Sequence, residues 1–98
     1  MAYKISISPR AQKEIENAIE YYALYSNDAP RKFVSALKET YNTLEINPSF
    51  RIRYKNIRAL KIKDFPYSLF FVVNDTHMTV RVLSCFHNKR NPNKRPIG

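Results

Sequence analysis

Four side chains in the second half of the chain could do chemistry on a phosphodiester. Lys61 and Lys63 are two residues apart in one strand-like run, and Arg81 and His87 lie in a later one. Cleavage of RNA by its own 2′-hydroxyl needs a base, an acid for the leaving oxygen, and cations for the charge that develops on the phosphate. Lys61 or His87 could serve as base or acid, with Lys63 and Arg81 as electrostatic clamps. The alternative is that these side chains are solvated members of a basic surface.

A second set of candidates contains the single cysteine. Cys85 and His87 lie two residues apart, so a regular strand places thiol and imidazole on one face, as a nucleophilic pair requires. A lone cysteine in a strand more often packs in the core. His77, Cys85 and His87 match no established zinc spacing, and the only glycine, Gly98, excludes a glycine-rich phosphate loop. The sequence therefore predicts no metal and no cofactor.

Three strand-like runs position these side chains, at residues 57–63, 67–74 and 78–87. The middle run is apolar on both faces, as expected of a central strand, whereas the outer two alternate. The three form a predicted antiparallel meander. Strict alternation puts Arg81 and His87 on one face of the last strand. If helices cover the other face, we expect both to lie on the open face beside Lys61 and Lys63.

The first half of the chain predicts the layer that backs this sheet. Residues 3–7 alternate as a half-buried strand, and Ser8 and Pro9 then begin a helix that runs to about Tyr25. Asp28 is a predicted cap for a second helix, which ends near Ile46 because Asn47 precedes a proline. Apolar residues recur at helical spacing in both helices, so we expect an antiparallel hairpin on one sheet face. Residues 50–55 alternate apolar and basic, which favours a short basic edge strand.

Length and charge narrow the class of protein. The chain has 98 residues, which predicts a single domain spanning 1–98, with a basic tail at 88–98. No apolar run is long enough for a secretory signal or a membrane span, so a cytoplasmic location is expected. The net charge is +9, because residues 51–98 hold eleven basic and two acidic side chains while residues 1–50 hold six of each. This asymmetry favours a polyanionic partner, either nucleic acid or an acidic protein segment.

The order of these segments resembles the RelE/ParE superfamily of toxins from bacterial type II toxin–antitoxin modules. The stretches that carry the resemblance are YKISISPRAQKEIENAIEYY, the Asn47-Pro48 helix end, IRALKIKDFPYSLFFVV and VRVLSCFHNKRNP, which together cover nearly the whole chain. The Phe65-Pro66-Tyr67 turn and the HNKRNP ending are most similar to the ParE branch. The resemblance implies an α+β, two-layer β-α-α-β-β-β(-β) fold, with an antiparallel helix hairpin on one face of a mostly antiparallel sheet.

The resemblance also implies a toxin that a small antitoxin neutralises. ParE-like members inhibit DNA gyrase without known cleavage chemistry, whereas RelE-like members cleave messenger RNA in the ribosome. Lys61 and Lys63 match a Lys-x-Lys pair of RelE-like nucleases, where the pair contacts phosphate. Ser68 stands where RelE has a basic residue after an aromatic one, and no tyrosine follows Tyr67, so two RelE features are missing.

The predicted function is therefore ParE-like inhibition of DNA gyrase, which would inhibit growth and stabilise plasmids. A ribosome-dependent endonuclease using Lys61, Lys63, Arg81 and His87 is the alternative, and a non-toxic binding module is a further one. The basic residues predicted to contact the target are Arg51, Arg53, Arg58, Lys89 and Arg90.

Overall fold

The computed structural model describes residues 2–48, 52–54 and 56–88, with residues 52–54 described by backbone alone. The elements in chain order are β1 (Lys4–Ile7), α1 (Pro9–Ala23), α2 (Ala29–Ile46), β2 (Ile52–Tyr54), β3 (Ile57–Lys61), β4 (Tyr67–Asn74) and β5 (Thr79–His87). The predicted order of one strand, two helices and a meander is confirmed. A membrane-spanning segment is not found among the helices of the described residues.

The five strands form one mixed sheet in the order β1-β5-β4-β3-β2. Neighbouring strands from β2 to β5 pair antiparallel, while β1 pairs with β5 in parallel. The last strand in the chain thus lies between the first strand and the meander. The short strand predicted after α2 is present as β2 at the edge of the sheet. Its Ile52 pairs with Arg58 of β3.

Helix α1 begins as its sequence predicts. Pro9 occupies the first turn, and the Ser8 side chain accepts a hydrogen bond of 3.1 Å from the Ala11 amide. An extended residue with a short oxygen side chain is the preferred cap, because it satisfies one of the free amides of the first turn. The buried residues of α1 are Ala11, Ile15 and Ala18, so the helix presents a narrow stripe of mostly small side chains to the sheet.

Helix α2 begins differently from the prediction. Asp28 precedes its first residue, but its side chain makes no capping hydrogen bond, so the expected side-chain cap is wrong. Asp28 has φ −90° and ψ −27°, a helical conformation rather than the extended one from which a side chain reaches the amides of the first turn. The helix ends at Ile46, as predicted from Asn47 and Pro48, and Asn47 is extended.

The sheet has apolar clusters on both faces. The helix-facing core contains the largest fully buried apolar side chains: Phe33, Phe71, Leu44, Ile62, Leu69, Val80 and Val82. Ile57, Phe70 and Phe86 form a smaller buried cluster on the opposite face, with Ala59, Val72 and Leu83 packed against it. Alternate residues of β4 belong to each cluster, which confirms β4 as a strand that is apolar on both faces.

A β-bulge interrupts the ladder between β4 and β5. Phe70 pairs with Ser84, whereas the next residue, Phe71, pairs with Val82, so Leu83 is an extra residue in β5. A bulge breaks the alternation of side chains along a strand. Val82 and Cys85 both belong to the helix-facing core, although strict alternation would place them on opposite faces. The predicted faces for the end of β5 are therefore wrong.

Candidate functional site

Side chains of α1 hold the bulge in place. The Ser8 hydroxyl donates to the Leu83 carbonyl at 2.9 Å. One carboxylate oxygen of Glu14 accepts from the Ser84 hydroxyl at 2.7 Å and from the Cys85 amide at 3.1 Å. Bonds to a carboxylate are among the stronger hydrogen bonds in proteins, so Glu14 fixes the register of β5 beyond the bulge. The carboxylate also pairs with Arg10, one helical turn earlier, at 3.6 Å.

The bulge directs His87 towards α1. Its ring lies edge-on to Tyr67 of the helix-facing core, with the ring centroids 5.0 Å apart. The side chain is half-buried and lines a groove of about 670 Å³ between α1 and the ends of β4 and β5. The groove combines apolar and ionisable side chains: Arg10, Glu14, Asn17, Ala18, Glu20, Tyr21, Leu24, Tyr67, Cys85, Phe86 and His87.

Cys85 is a buried residue with a protonated thiol. Burial, and to a smaller degree the nearby Glu14 carboxylate, raises the pKa of Cys85 to about 12. A nucleophilic cysteine needs a lowered pKa and access to solvent, and Cys85 has neither, with 2% of its surface exposed. The thiol therefore packs, although Cys85 and His87 both line the groove beside α1. No group of three or more histidine, cysteine or acidic side chains within the described ranges is arranged to hold a metal ion.

Lys61 and Arg81 both lie on the face opposite the helices, but at different ends of it. Lys61 is exposed at the end of β3 and pairs with Ser68 of β4. Arg81 is exposed on β5 and pairs with Val72, four residues further along β4. Four residues of strand span about 13 Å, before the spacing between strands is added. The Cα atoms of Lys61 and Arg81 are therefore more than about 13 Å apart.

Lys63 lies beyond the end of β3, in a turn where Asp64 has a φ of 69°. Its side chain lines a groove beside α2, with Lys32, Glu39 and Asp64 among its neighbours. The prediction that Lys61, Lys63, Arg81 and His87 converge on one patch is therefore wrong. The turn carries Lys63 towards α2, and the bulge turns His87 towards α1. Lys61 and Arg81 share the opposite sheet face but lie at different ends of it.

The predicted target-binding residues fall in three groups. Arg58 pairs with Phe71 of the helix-facing core, so it lies on the opposite sheet face from Lys61 and is half-buried. Arg53 is in β2, where only the backbone is described. Arg51, Lys89 and Arg90 lie outside the described residues.

Sequence reasoning missed a contact between the end of β5 and the start of β4. The Asn88 amide donates to the Pro66 carbonyl at 2.8 Å, and the Ser68 hydroxyl donates to the Asn88 side-chain oxygen at 2.8 Å. It also missed Glu14 as a ligand of the bulge. One sequence signal pointed to the bulge: alternation placed the polar residue Ser84 at a core position. In the structure Ser84 is fully buried and bonded to Glu14.

Apolar side chains are exposed at the carboxyl end of α1. Leu24 is 81% exposed, Tyr25 is 71% exposed and Tyr21 is 41% exposed. Tyr21 and Tyr25 contact each other, with ring centroids 5.1 Å apart. Tyr21 and Leu24 also line the groove that contains His87, so the groove opens onto this exposed apolar edge.

A family profile described as the ParE toxin of type II toxin–antitoxin systems, parDE, matches residues 5–92 of the chain. Among solved structures, the chain is similar to the chromosomal ParDE toxin–antitoxin system of P. aeruginosa. The TM-score is 0.73 at 16% sequence identity, covering 87% of this chain and 95% of that one. No curated protein sequence matches the chain.

Two RelE-type structures are also similar. The RelBE2 toxin–antitoxin complex of Mycobacterium tuberculosis gives a TM-score of 0.66 at 15% identity, covering 89% of this chain and 99% of that one. A mutant of the E. coli toxin RelE in the free state gives 0.63 at 19% identity, covering 91% and 86%. Identities this low show a shared fold, which ParE-type and RelE-type proteins have in common.

Proposed function

The chain belongs to the ParE toxin family of type II toxin–antitoxin systems, and we propose that it inhibits growth by binding DNA gyrase. The observation that carries this proposal is the distribution of its cationic groups. A ribonuclease site needs its base, its acid and its phosphate clamps within hydrogen-bonding reach of one substrate group. Lys61 and Arg81 lie at two ends of one sheet face. Lys63 lies beside α2, and His87 lies beside α1.

The charge of the chain supports a binding function. The excess of basic side chains, eleven against two, lies in residues 51–98. Cations spread over a surface speed association with an acidic partner and fix its orientation, and they need no common focus to do so. This distribution favours an inhibitor that occupies its target over an enzyme that cleaves it.

A cognate antitoxin is the second partner in this proposal. Similar structures include a complex described as RelBE2 and one described as the intact E. coli RelBE toxin–antitoxin complex. We expect a small neighbouring protein to bind the chain and to restore growth when the two are expressed together. Failure of every neighbouring gene product to bind the purified chain would count against this part of the proposal.

The gyrase proposal is tested with purified protein in a DNA supercoiling assay. We expect wild-type protein to inhibit supercoiling, and Lys61→Glu to weaken inhibition several-fold because it reverses a charge on the meander. Lys38→Glu makes the same charge change at an exposed position of α2 and serves as the matched control. Unimpaired supercoiling at a several-fold molar excess of wild-type protein over gyrase would reject the proposal.

Two further outcomes identify the alternatives. Codon-phased cuts in translated messages, mapped by primer extension in cells that express the protein, would indicate a RelE-like endonuclease instead. Normal growth after induction without an antitoxin would indicate a non-toxic binding module. Primer extension and growth after induction without an antitoxin therefore separate the three functions together.

A further inference from the structure

The strands of the sheet carry basic side chains and no acidic ones. All five glutamates of the chain lie in α1 or α2, and the three aspartates lie outside the strands, Asp28 before α2 and Asp64 and Asp75 in turns. The strands contain five lysines and arginines: Lys4, Arg53, Arg58, Lys61 and Arg81. Charges of one sign on a surface attract a polyanion and raise its local concentration. The sheet is therefore the place to look for an anion site.

Two of these cations, Lys4 and Arg81, are close neighbours on the face opposite the helices. In the parallel ladder Lys4 pairs with Thr79, and Ser6 pairs with Arg81. The residues that alternate with these four pack in or against the helix-facing core, so the four side chains share the other face. Two residues along a strand and one step between strands place the Cα atoms of Lys4 and Arg81 about 8 Å apart. We call these four residues the β1–β5 patch.

Both cations of the patch are accessible. Lys4, Ser6 and Arg81 are exposed, and neither cation is ion-paired with a described residue. Asp75 is the acidic residue closest to Arg81 in the sequence. Its carboxylate accepts a hydrogen bond of 2.8 Å from the hydroxyl of Tyr3, which packs against the helix-facing core. The charges of the patch are therefore balanced by solvent ions or by a ligand, not by an acidic side chain of the described residues.

The groups in the patch are those that bind phosphate. Arginine, lysine and hydroxyl side chains supply many of the contacts that proteins make to nucleic acid backbones. Arginine can also donate two parallel hydrogen bonds to one phosphate. A protein ligand would need exposed aromatic or apolar anchors. The exposed residues of β1, β4 and β5 are all polar: Lys4, Ser6, Asn74 and Arg81.

The aromatic residues of this face favour a duplex over a single strand. Proteins that bind single strands without sequence preference stack the bases on aromatic rings. Phe70 and Phe86, on the same face as the patch, are 6% and 8% exposed, and their rings pack against each other with centroids 6.3 Å apart. A duplex keeps its bases stacked inside and presents its phosphates, so cations and hydroxyls are sufficient to bind it.

We propose that the β1–β5 patch binds the phosphate backbone of double-stranded DNA, with Lys4 and Arg81 as the cations that contact phosphate. The proposal goes beyond inhibition of gyrase, because binding to gyrase requires no contact between the toxin and DNA. The choice of DNA over duplex RNA rests on the function proposed above, since gyrase acts on DNA.

The test removes the two charges and measures how DNA binding depends on salt. The variant Lys4→Gln/Arg81→Gln lowers the net charge by two and keeps the aliphatic part of each side chain. Arg31→Gln/Lys38→Gln makes the same two replacements at exposed positions of α2 and is the matched control. Lys4→Arg/Arg81→Lys exchanges the cations and keeps both charges. Fluorescence anisotropy of a short labelled DNA duplex gives each binding constant between roughly 50 and 200 mM salt.

The salt dependence counts the phosphates that the protein contacts. The logarithm of the binding constant falls with the logarithm of salt concentration by about 0.9 for each phosphate contact. We expect a slope shallower than that of the wild type by about 1.8 for Lys4→Gln/Arg81→Gln, and by about 0.9 for either single replacement. The control and the exchanged variant should keep the wild-type slope. All variants should keep the wild-type thermal midpoint, because the replaced side chains are exposed.

Three results would overturn the patch. The first is an unchanged slope for Lys4→Gln/Arg81→Gln, or an equal change in Arg31→Gln/Lys38→Gln, because DNA would then respond to net charge alone. The second is a change confined to single-stranded DNA or to duplex RNA. The third is weaker binding of poly-L-glutamate by Lys4→Gln/Arg81→Gln with no change in its slope on duplex DNA, which would indicate an acidic protein segment as the ligand.

The DNA measurement is made without gyrase, so the two proposals can fail separately. If the wild-type protein does not inhibit supercoiling but Lys4→Gln/Arg81→Gln has the shallower slope, the gyrase proposal falls and the DNA patch is supported. If the wild-type protein inhibits supercoiling and the slope of Lys4→Gln/Arg81→Gln is unchanged, the patch is overturned and the gyrase proposal remains.

Discussion

The two helices pack on the same face of the sheet, but they hold it by different means. The buried residues of α1 are mostly small, and its polar residues Ser8 and Glu14 bind the backbone and side chains of β5. The buried apolar residues of α2 are Phe33, Leu37 and Leu44. Helix α1 lies against β5, whereas α2 lies against α1 and β1.

Side-chain size explains the difference. A stripe of small residues lets a helix approach a sheet closely, so that a short hydroxyl and a carboxylate can reach across the gap. Larger side chains fill a wider space, and polar groups behind them cannot cross it. Between described residues, the side-chain hydrogen bonds of α2 come from Thr40 and Thr43, and both run to carbonyls of α2 itself. Helix α1 therefore sets the register of β5, and α2 supplies apolar volume.

The largest expected effect concerns the apolar role of α2. Phe33 is fully buried and contacts the rings of Phe65 and Tyr67, with centroids 5.2 and 5.6 Å away. We expect Phe33→Ala to lower the free energy of unfolding by about 3–5 kcal/mol, because it removes a large buried side chain and leaves a cavity. Urea unfolding measures the loss, with the exposed Ser35→Ala as control. A loss near that of the control would show that α2 is not the main source of apolar volume.

The next effect concerns the polar role of α1. Glu14→Ala removes the acceptor for the Ser84 hydroxyl and the Cys85 amide, so we expect a loss of about 1.5–3 kcal/mol. Glu14→Gln keeps a carbonyl oxygen at the same place and should lose less. Glu16→Ala, on the exposed side of α1, should be close to neutral. If Glu14→Ala and Glu16→Ala unfold at the same urea concentration, the bulge does not depend on α1.

A third effect links the buried thiol to pH. The pKa of Cys85 rises from an ordinary 9.0 to about 12, so the unfolded chain loses this proton at lower pH than the folded one. The free energy of unfolding should therefore be unaffected below about pH 9 and should fall as pH rises from there towards 12, by up to about 1.4 kcal/mol per pH unit. The comparison of wild type with Cys85→Ala at roughly pH 8 and pH 10 isolates this contribution.

The same protonated thiol should resist chemical modification. At neutral pH we expect thiol reagents to react with Cys85 at the rate of unfolding, because the folded state offers neither thiolate nor access. Reaction in folded protein as fast as in urea-unfolded protein would contradict the burial of Cys85 beneath α1.

The smallest effect compares the two helix caps. Ser8→Ala removes the cap of α1 and the donor to the Leu83 carbonyl, so we expect a loss of about 1–2 kcal/mol. Asp28→Ala should change the free energy of unfolding by less than about 0.5 kcal/mol, because the Asp28 side chain makes no capping bond. Equal losses for the two variants, measured by thermal or urea unfolding, would remove this difference between the helices.

Local pattern was sufficient to predict most of the fold. The residues of β4 were predicted without error, and Ser8, Pro9 and the Asn47-Pro48 pair marked helix ends correctly. The parallel pairing of β1 with β5 was not predicted, because no local pattern indicates which strands will meet. The dihedral angles of Asp28 also depend on how the chain enters α2, which residue type alone does not determine.

The candidate site was harder to predict, because it depends on one inserted residue. Alternation along β5 gave Arg81 and His87 a common face, and it holds only as long as the ladder is unbroken. Leu83 breaks it, and the contacts that stabilise the break come from Glu14 and Ser8, about seventy residues earlier in the chain. Long-range contacts of this kind leave little trace in the sequence.

The position of β5 in the sheet has a consequence for how the protein is made. The ribosome delivers β1 and α1 early, but β1 pairs with β5, and α1 rests on β5 as well. Until residues 79–87 emerge, the first strand has no partner strand and the first helix lacks the strand against which it packs. We therefore expect the complete sheet to assemble only after β5 has been made.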